Sequence, residues 1–160
     1  MKGGEEPKPG PNMTAFYGKL KGKRRTLPQI QKELVMIDRA TVQAWLDAYV
    51  HAWKTYDPQA IGNLFSEDAI YTFDPFSEPV RGRAAIVAAW LDDPDALGTY
   101  DGHYEPIMIE GDRAVANGRS LYFEQDGSTL RAEWNNIFVL RFDDDGRCME
   151  YREWYMQRSI

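Results

Sequence analysis

Leu64-Phe65-Ser66-Glu67-Asp68-Ala69-Ile70-Tyr71-Thr72-Phe73-Asp74-Pro75, with Arg81-Gly82-Arg83-Ala84-Ala85-Ile86 close behind, decides the fold. It reads as a helix end, a turn over Ser66-Glu67-Asp68, a strand over 69–73, an Asp-Pro stop, and a new helix after Gly82. Upstream, Thr26-Leu27-Pro28 is a helix start. Ile30, Leu34, Ile37, Val42, Trp45, Leu46, Tyr49, Val50 and Trp53 then recur at helical spacing until Tyr56-Asp57-Pro58 breaks the run. Residues 59–65 form a second, short helix and residues 83–91 a third, ended by Asp92-Asp93-Pro94. Downstream the pattern is β throughout. Strands are predicted over 103–109, 113–124, 129–142 and 147–157, separated by the turn signals Glu110-Gly111-Asp112, Asp126-Gly127 and Asp143-Asp144-Asp145-Gly146. Helices first, interrupted by one strand, then an antiparallel meander, predict the α+β class.

The chain has 160 residues, enough for one domain with a buried core. Its aromatic fraction of 13% suggests a core or pocket rich in rings. No apolar run approaches the roughly 18 residues that would span a bilayer, and no signal-peptide pattern opens the chain. One cysteine, Cys148, excludes an internal disulfide and fits a reducing, cytoplasmic setting. With only two histidines beside it, a dedicated metal site is not expected. No glycine-rich phosphate motif is present, so no nucleotide cofactor is implied.

The net charge of −6 hides a split. Residues 1–35 carry eight Lys/Arg against three Asp/Glu, whereas residues 36–160 carry eleven against twenty-two. The first 25 residues read as a flexible basic arm or an added extension, and residues 26–160 as the folded domain. The acidic part is a poor nucleic-acid binder, because phosphates require a basic surface.

Asp74 ends a strand in apolar company, with Tyr71 before it and Phe73 and Phe76 flanking it. A carboxylate held against rings has a raised pKa and can serve as a base near neutral pH. Asp is also common at the start of an Asp-Pro turn, where it hydrogen-bonds locally.

The order of these pieces resembles the NTF2-like superfamily, with its SnoaL-like and ketosteroid-isomerase-like members. The resemblance runs through Asp57-Pro58, Leu64-Phe65, Asp68-Ala69, Asp74-Pro75, Gly82-Arg83-Ala84-Ala85-Ile86, Phe142-Asp143-Asp144-Asp145-Gly146-Arg147 and Arg152-Glu153-Trp154-Tyr155, over residues 36–160. It implies a curved antiparallel sheet wrapped as a cone around three helices, with a pocket in its mouth and no cofactor. Family activities include isomerases, dehydratases, cyclases and epoxide hydrolases, beside non-catalytic binding or dimeric assembly modules. By similarity to ketosteroid isomerase, Tyr49 falls at the oxyanion-hole tyrosine and Asp74 at the general base. Phe138 stands where that enzyme keeps a protonated acid. By similarity to limonene-epoxide hydrolase, Tyr151-Arg152-Glu153-Trp154 matches the last-strand run whose acid lines the pocket, which makes Glu153 a second acid–base group. Asn117 and Arg119 have the spacing of that enzyme's Arg and Asp, without the Asp.

Strand parity then lists the pocket residues. With Glu153 inward, Tyr151 and Tyr155 are inward too; with Phe138 inward, so are Trp134 and Asn136. Asn117 and Arg119 are expected on the pocket face, with Arg119 the obvious partner for Glu153. His103 near the mouth, Tyr71 from the strand, and Trp45 and Trp53 on the Tyr49 face of the first helix complete the expected lining. The expected ligand is a small, largely apolar molecule, and the outer sheet face, with Ile137 and Val139, is the expected surface of a homodimer.

Overall fold

The computed structural model describes residues 36–158. Helix α1 (Arg39–Thr55) and helix α2 (Pro58–Leu64) lead into strand β1 (Phe65–Thr72) and the short β2 (Val80–Arg81), and helix α3 (Arg83–Asp92) follows. Strands β3 (Tyr100–Glu110), β4 (Arg113–Phe123), β5 (Leu130–Phe142) and β6 (Cys148–Gln157) close the chain. They form a six-stranded sheet in the order β2-β1-β6-β5-β4-β3, left open rather than closed into a barrel. This is the α+β class that the sequence pattern predicts and the cone-type arrangement that the family resemblance implies.

Three details differ from the expectation. The sheet is mixed, not wholly antiparallel: β1 runs parallel to β6, pairing Tyr71 with Tyr151. Ser66-Glu67-Asp68 is not a turn but lies inside β1, where the ladder shifts register between Phe65 and Ile70. Such an irregularity bends a strand. Finally, α1 begins at Arg39, because the Asp38 side chain accepts the Thr41 N–H at 2.8 Å and so caps the helix. The helix start expected at Thr26, and the basic arm over residues 1–25, lie outside the described residues.

Helix α1 buries Val42, Trp45, Leu46, Tyr49, Ala52 and Trp53, the face that its 3.6-residue period aligns. Asp57 caps α2 through the N–H groups of Gln59 and Ala60, and Pro58 opens that helix. The inner sheet face is shaped by small residues. On β4 it carries Ala114, Ala116, Gly118, Ser120 and Tyr122, paired across to Leu140, Phe138, Asn136, Trp134 and Ala132 of β5. This leaves depth for the rings of α1 and β3. A Cβ on Gly118 would strike the His103 carbonyl and the Tyr104 ring, and would lie 2.7 Å from Tyr104 Cα. Close backbone approach, not unusual dihedral freedom, requires glycine there.

Candidate functional site

A cavity of about 670 Å³ opens between α1, the end of α3 and the inner faces of β3–β6. Of the expected residues, Tyr49, Trp53, Tyr71, Trp134, Asn136, Glu153 and Tyr155 border it. So do Tyr56, Trp90, Tyr104, Ser120, Tyr122, Arg131, Asp93 and Asp95, which the sequence reading passes over. Trp45 and Phe138 lie a layer deeper: Trp45 donates its indole N–H to the Leu64 carbonyl at 2.9 Å, and Phe138 is 1% exposed among the rings of Tyr49, Tyr104 and Tyr151. Tyr151 is likewise buried and meets the site only by donating its hydroxyl to Glu153.

Glu153 sits at the focus of a hydrogen-bonded chain. Asn136 Nδ2 donates to its Oε1 at 2.6 Å, and the Tyr151 hydroxyl donates to its Oε2 at 3.0 Å. Since Tyr151 has spent its proton on the carboxylate, Tyr49 must donate to Tyr151 at 3.2 Å, and Tyr71 to Tyr49 at 3.5 Å. On the other side Ser120 donates to Asn136 Oδ1 at 3.0 Å, so Tyr104 donates to Ser120 at 2.7 Å. Every donor in the two arms points towards Glu153. Even so, burial outweighs the two hydrogen bonds, and the carboxyl is pushed up to about 7. Burial, followed by nearby phenols or the Glu153 charge, also raises the hydroxyls of Tyr49, Tyr71 and Tyr151 far above neutrality, so all three stay protonated donors. The Tyr71 and Tyr151 rings stack with centroids 4.2 Å apart and planes at 5°, which fixes this array.

Four expected site residues are elsewhere. Asp74 does not line the cavity. Its Oδ1 accepts from Phe76 N at 2.8 Å and Ser77 N at 3.1 Å, and its Oδ2 accepts from the Ser77 hydroxyl. These bonds, the Ser77 side chain first, hold its carboxyl below the usual range, the opposite of a poised base. The flanking rings do not desolvate it, since Phe76 is 96% exposed. Arg119 and Asn117 face outward, because the inner parity of β4 belongs to Gly118 and Ser120. Arg119 pairs with Glu133 at 3.1 Å, not with Glu153, and Arg158 joins the same carboxylate at 2.9 Å. Asn117 donates to Asn135 and to the Asn136 carbonyl. His103, opposite Arg119 in the ladder, is exposed on the outer face as well. The Asp74→Asn variant is accordingly expected to show the same ligand-induced rise in melting temperature as the unaltered protein; a lost response would return Asp74 to the site.

For Ser120 the signal lies in β4 itself. Ala114, Ala116, Gly118 and Ser120 alternate with larger or charged residues, and a concave face already crowded by rings takes the small set. Among the described residues, no group of three or more His, Cys, Asp or Glu is placed to hold a metal.

Comparison with known proteins agrees with this architecture. Solved structures that resemble it include an NTF-2 like protein of unknown function from Burkholderia xenovorans, with TM-score 0.58 and 15% identity over 76% of this chain and 87% of that one. An LEH-like epoxide hydrolase from M. tuberculosis matches with TM-score 0.55 and 14% identity, over 74% and 84%. A ketosteroid isomerase-like protein from Erwinia carotovora atroseptica matches with TM-score 0.52 and 18% identity, over 74% and 95%. At such identities the likeness is one of fold. No curated protein matches the sequence. The sequence model of the SnoaL-like domain matches residues 46–151, which takes in α2, α3, all six strands up to Tyr151 and most of α1, so the chain belongs to the SnoaL-like family.

Proposed function

We propose that this domain binds a small, largely apolar molecule in its cavity and that Glu153 exchanges a proton with it, without help from a cofactor. The observation that carries the reading is Glu153 itself: a carboxyl at about 7, oriented by Asn136 and Tyr151, on the wall of a 670 Å³ cavity lined largely by rings. A group that titrates near the working pH is suited both to take and to return a proton.

The tyrosine chain gives that exchange a second effect. When Glu153 takes a proton from a bound molecule or its attacking water, Oε2 becomes a donor to Tyr151. Tyr151 then turns its proton to Tyr49, and Tyr49 turns its own to Tyr71. The Tyr71 hydroxyl is left free to donate into the cavity, to an oxygen on which charge develops. Base and oxyanion donor are thereby linked. Isomerisation, dehydration, cyclisation and epoxide opening all use these parts. Relatives of similar fold are described as an epoxide hydrolase and as ketosteroid isomerase-like, which is compatible with this range. A thermal-shift screen of hydrophobic carbonyls and epoxides tests the cavity. Hits should raise the melting temperature with the logarithm of ligand concentration, by about 2.7 kcal/mol of stability at a hundred times the dissociation constant. A flat response across the set would leave a non-catalytic assembly module as the better reading.

A dimer through the outer sheet face belongs to the same proposal. Ile137 and Val139 share that face with Met108, Trp154 and Met156, which are 63%, 42% and 76% exposed. Sedimentation equilibrium should give twice the chain mass, and Trp154→Glu should return it to one. The lone buried cysteine and the absence, among described residues, of a helix long and apolar enough to cross a membrane fit a place in the cytoplasm.

A further inference from the structure

A second part of the cavity lining carries a chemistry that proton transfer does not use. Asp95, in the loop after α3, presents Oδ2 to the Trp53 indole N–H at 3.0 Å and the Tyr56 hydroxyl at 3.2 Å. The Tyr56 oxygen accepts the Asp95 backbone N–H in return at 2.9 Å. Among the described residues its other oxygen, Oδ1, accepts no hydrogen bond. The Trp53 ring stands beside Tyr122, with centroids 5.9 Å apart and planes at 64°. All four residues line the cavity. Burial first, and then the Asp95 and Glu153 charges, push the Tyr122 hydroxyl up, so both carboxylates act on one phenol facing the shared space.

Aromatic faces attract cations, and the attraction grows where water is excluded. One such face is already in use: the Arg131 guanidinium lies 5.8 Å from the Tyr122 ring centroid. Asp93, Asp95 and Glu153 line the cavity against Arg131 alone, so the field within it is negative and concentrated by low-dielectric walls.

We propose that the cavity takes an organic cation, a small molecule carrying a protonated or quaternary amine, with its charge held by Asp95 among Trp53, Tyr56 and Tyr122 and its far end at Glu153. The inference rests on the cavity reading above and adds the substrate class to it. The amine anchors the molecule away from the reacting centre, so binding energy gained at Asp95 can position the far end for Glu153.

The test compares benzyltrimethylammonium with its carbon isostere neopentylbenzene by titration against the described domain in its full chain. The cation should bind about tenfold more tightly than the hydrocarbon. Asp95→Asn, which keeps an acceptor for Trp53 and Tyr56, should lower affinity for the cation about tenfold and leave the hydrocarbon unchanged. Arg131→Gln, which removes the competing positive charge, should tighten the cation. Two oppositely directed variants keep the result independent of any loss of folding in one of them. Equal binding of the two probes, or tighter binding of phenylacetate than of the ammonium, overturns the inference while leaving the cavity reading intact. Binding of none of the three overturns both.

Discussion

Replacing Glu153 with glutamine should lower turnover by about 10²- to 10⁴-fold, the usual contribution of a positioned acid–base group, while making the protein more stable at pH 8. The two effects share one cause. The Glu153 carboxyl rises from 4.5 to about 7 because the fold disfavours its charge. Between those values the folded protein binds a proton that the unfolded chain has released, so stability falls as the pH climbs through that window. The stabilisation is complete below 4.5 and gone above 7. A shift of this size corresponds to roughly 3 kcal/mol, taken as the upper end because the carboxylate still meets the water of the cavity. Glutamine does not titrate. It also mimics the protonated acid, its amide donating to Tyr151 where the ionised carboxylate accepts. The melting temperature of Glu153→Gln should therefore exceed that of the unaltered protein by up to roughly 6–12 °C at pH 8, and the gap should close towards pH 4.5. A variant less stable than its parent at pH 8 would mean that Glu153 is held as a charge, and the base assignment would fall with it. The pH dependence of kcat/KM should turn near 7 in the parent and lose that inflection in the variant.

Gly118→Ala should produce the largest loss of stability from a single added methyl group. Its Cβ would enter the space of the His103 carbonyl and of Tyr104, both on the adjoining strand, so the obstacle is mostly backbone and cannot swing aside. Overpacking of a core costs typically 1–3 kcal/mol, more when strands must part, and about 3 kcal/mol is expected here from urea titration. The β3–β4 ladder would have to open around Tyr104, the residue whose hydroxyl begins one arm of the chain to Glu153. Ligand binding should weaken along with stability. Adding Tyr104→Ala should recover part of the loss but not all of it, since the His103 carbonyl remains. Full recovery would show that the ring alone requires the glycine.

Local patterns made much of the fold legible. The buried face of α1, the Asp57-Pro58 break and the glycine turns before β4, β5 and β6 are all features of neighbouring residues, and each is where the pattern puts it. The parallel pairing of β1 with β6 was not legible, because its partner lies about eighty residues away and leaves no local mark. The site divides in the same way. Glu153, Asn136, Trp134 and Tyr155 follow from alternation along two long strands once one inward residue is known. Asp74 is not legible in this way, because apolar neighbours in sequence are not apolar neighbours in space: Phe76 points to solvent and the carboxylate closes its own turn. For Arg119, charge complementarity to Glu153 points inward but the size rule for a concave face outweighs it and gives that strand's inner side to glycine and serine.

The seam between β1 and β6 also bears on the order in which the domain acquires its chemistry. Hairpins from β3 to β6 join segments adjacent in the chain, whereas β1 must wait for the last strand before it has a neighbour on that side. Closing so long a loop is entropically expensive and slow relative to hairpin formation. Tyr71 comes from β1, Tyr151 and Glu153 from β6, and Tyr49 from α1. The Tyr71 end of the array is thus the part that needs the chain's distant pieces, β1 and β6, to pair. A partly folded molecule can carry β3–β6 with Asn136 and Tyr151 already on Glu153 and still lack Tyr49 and Tyr71, which ties the far end of the tyrosine chain to completion of the whole domain.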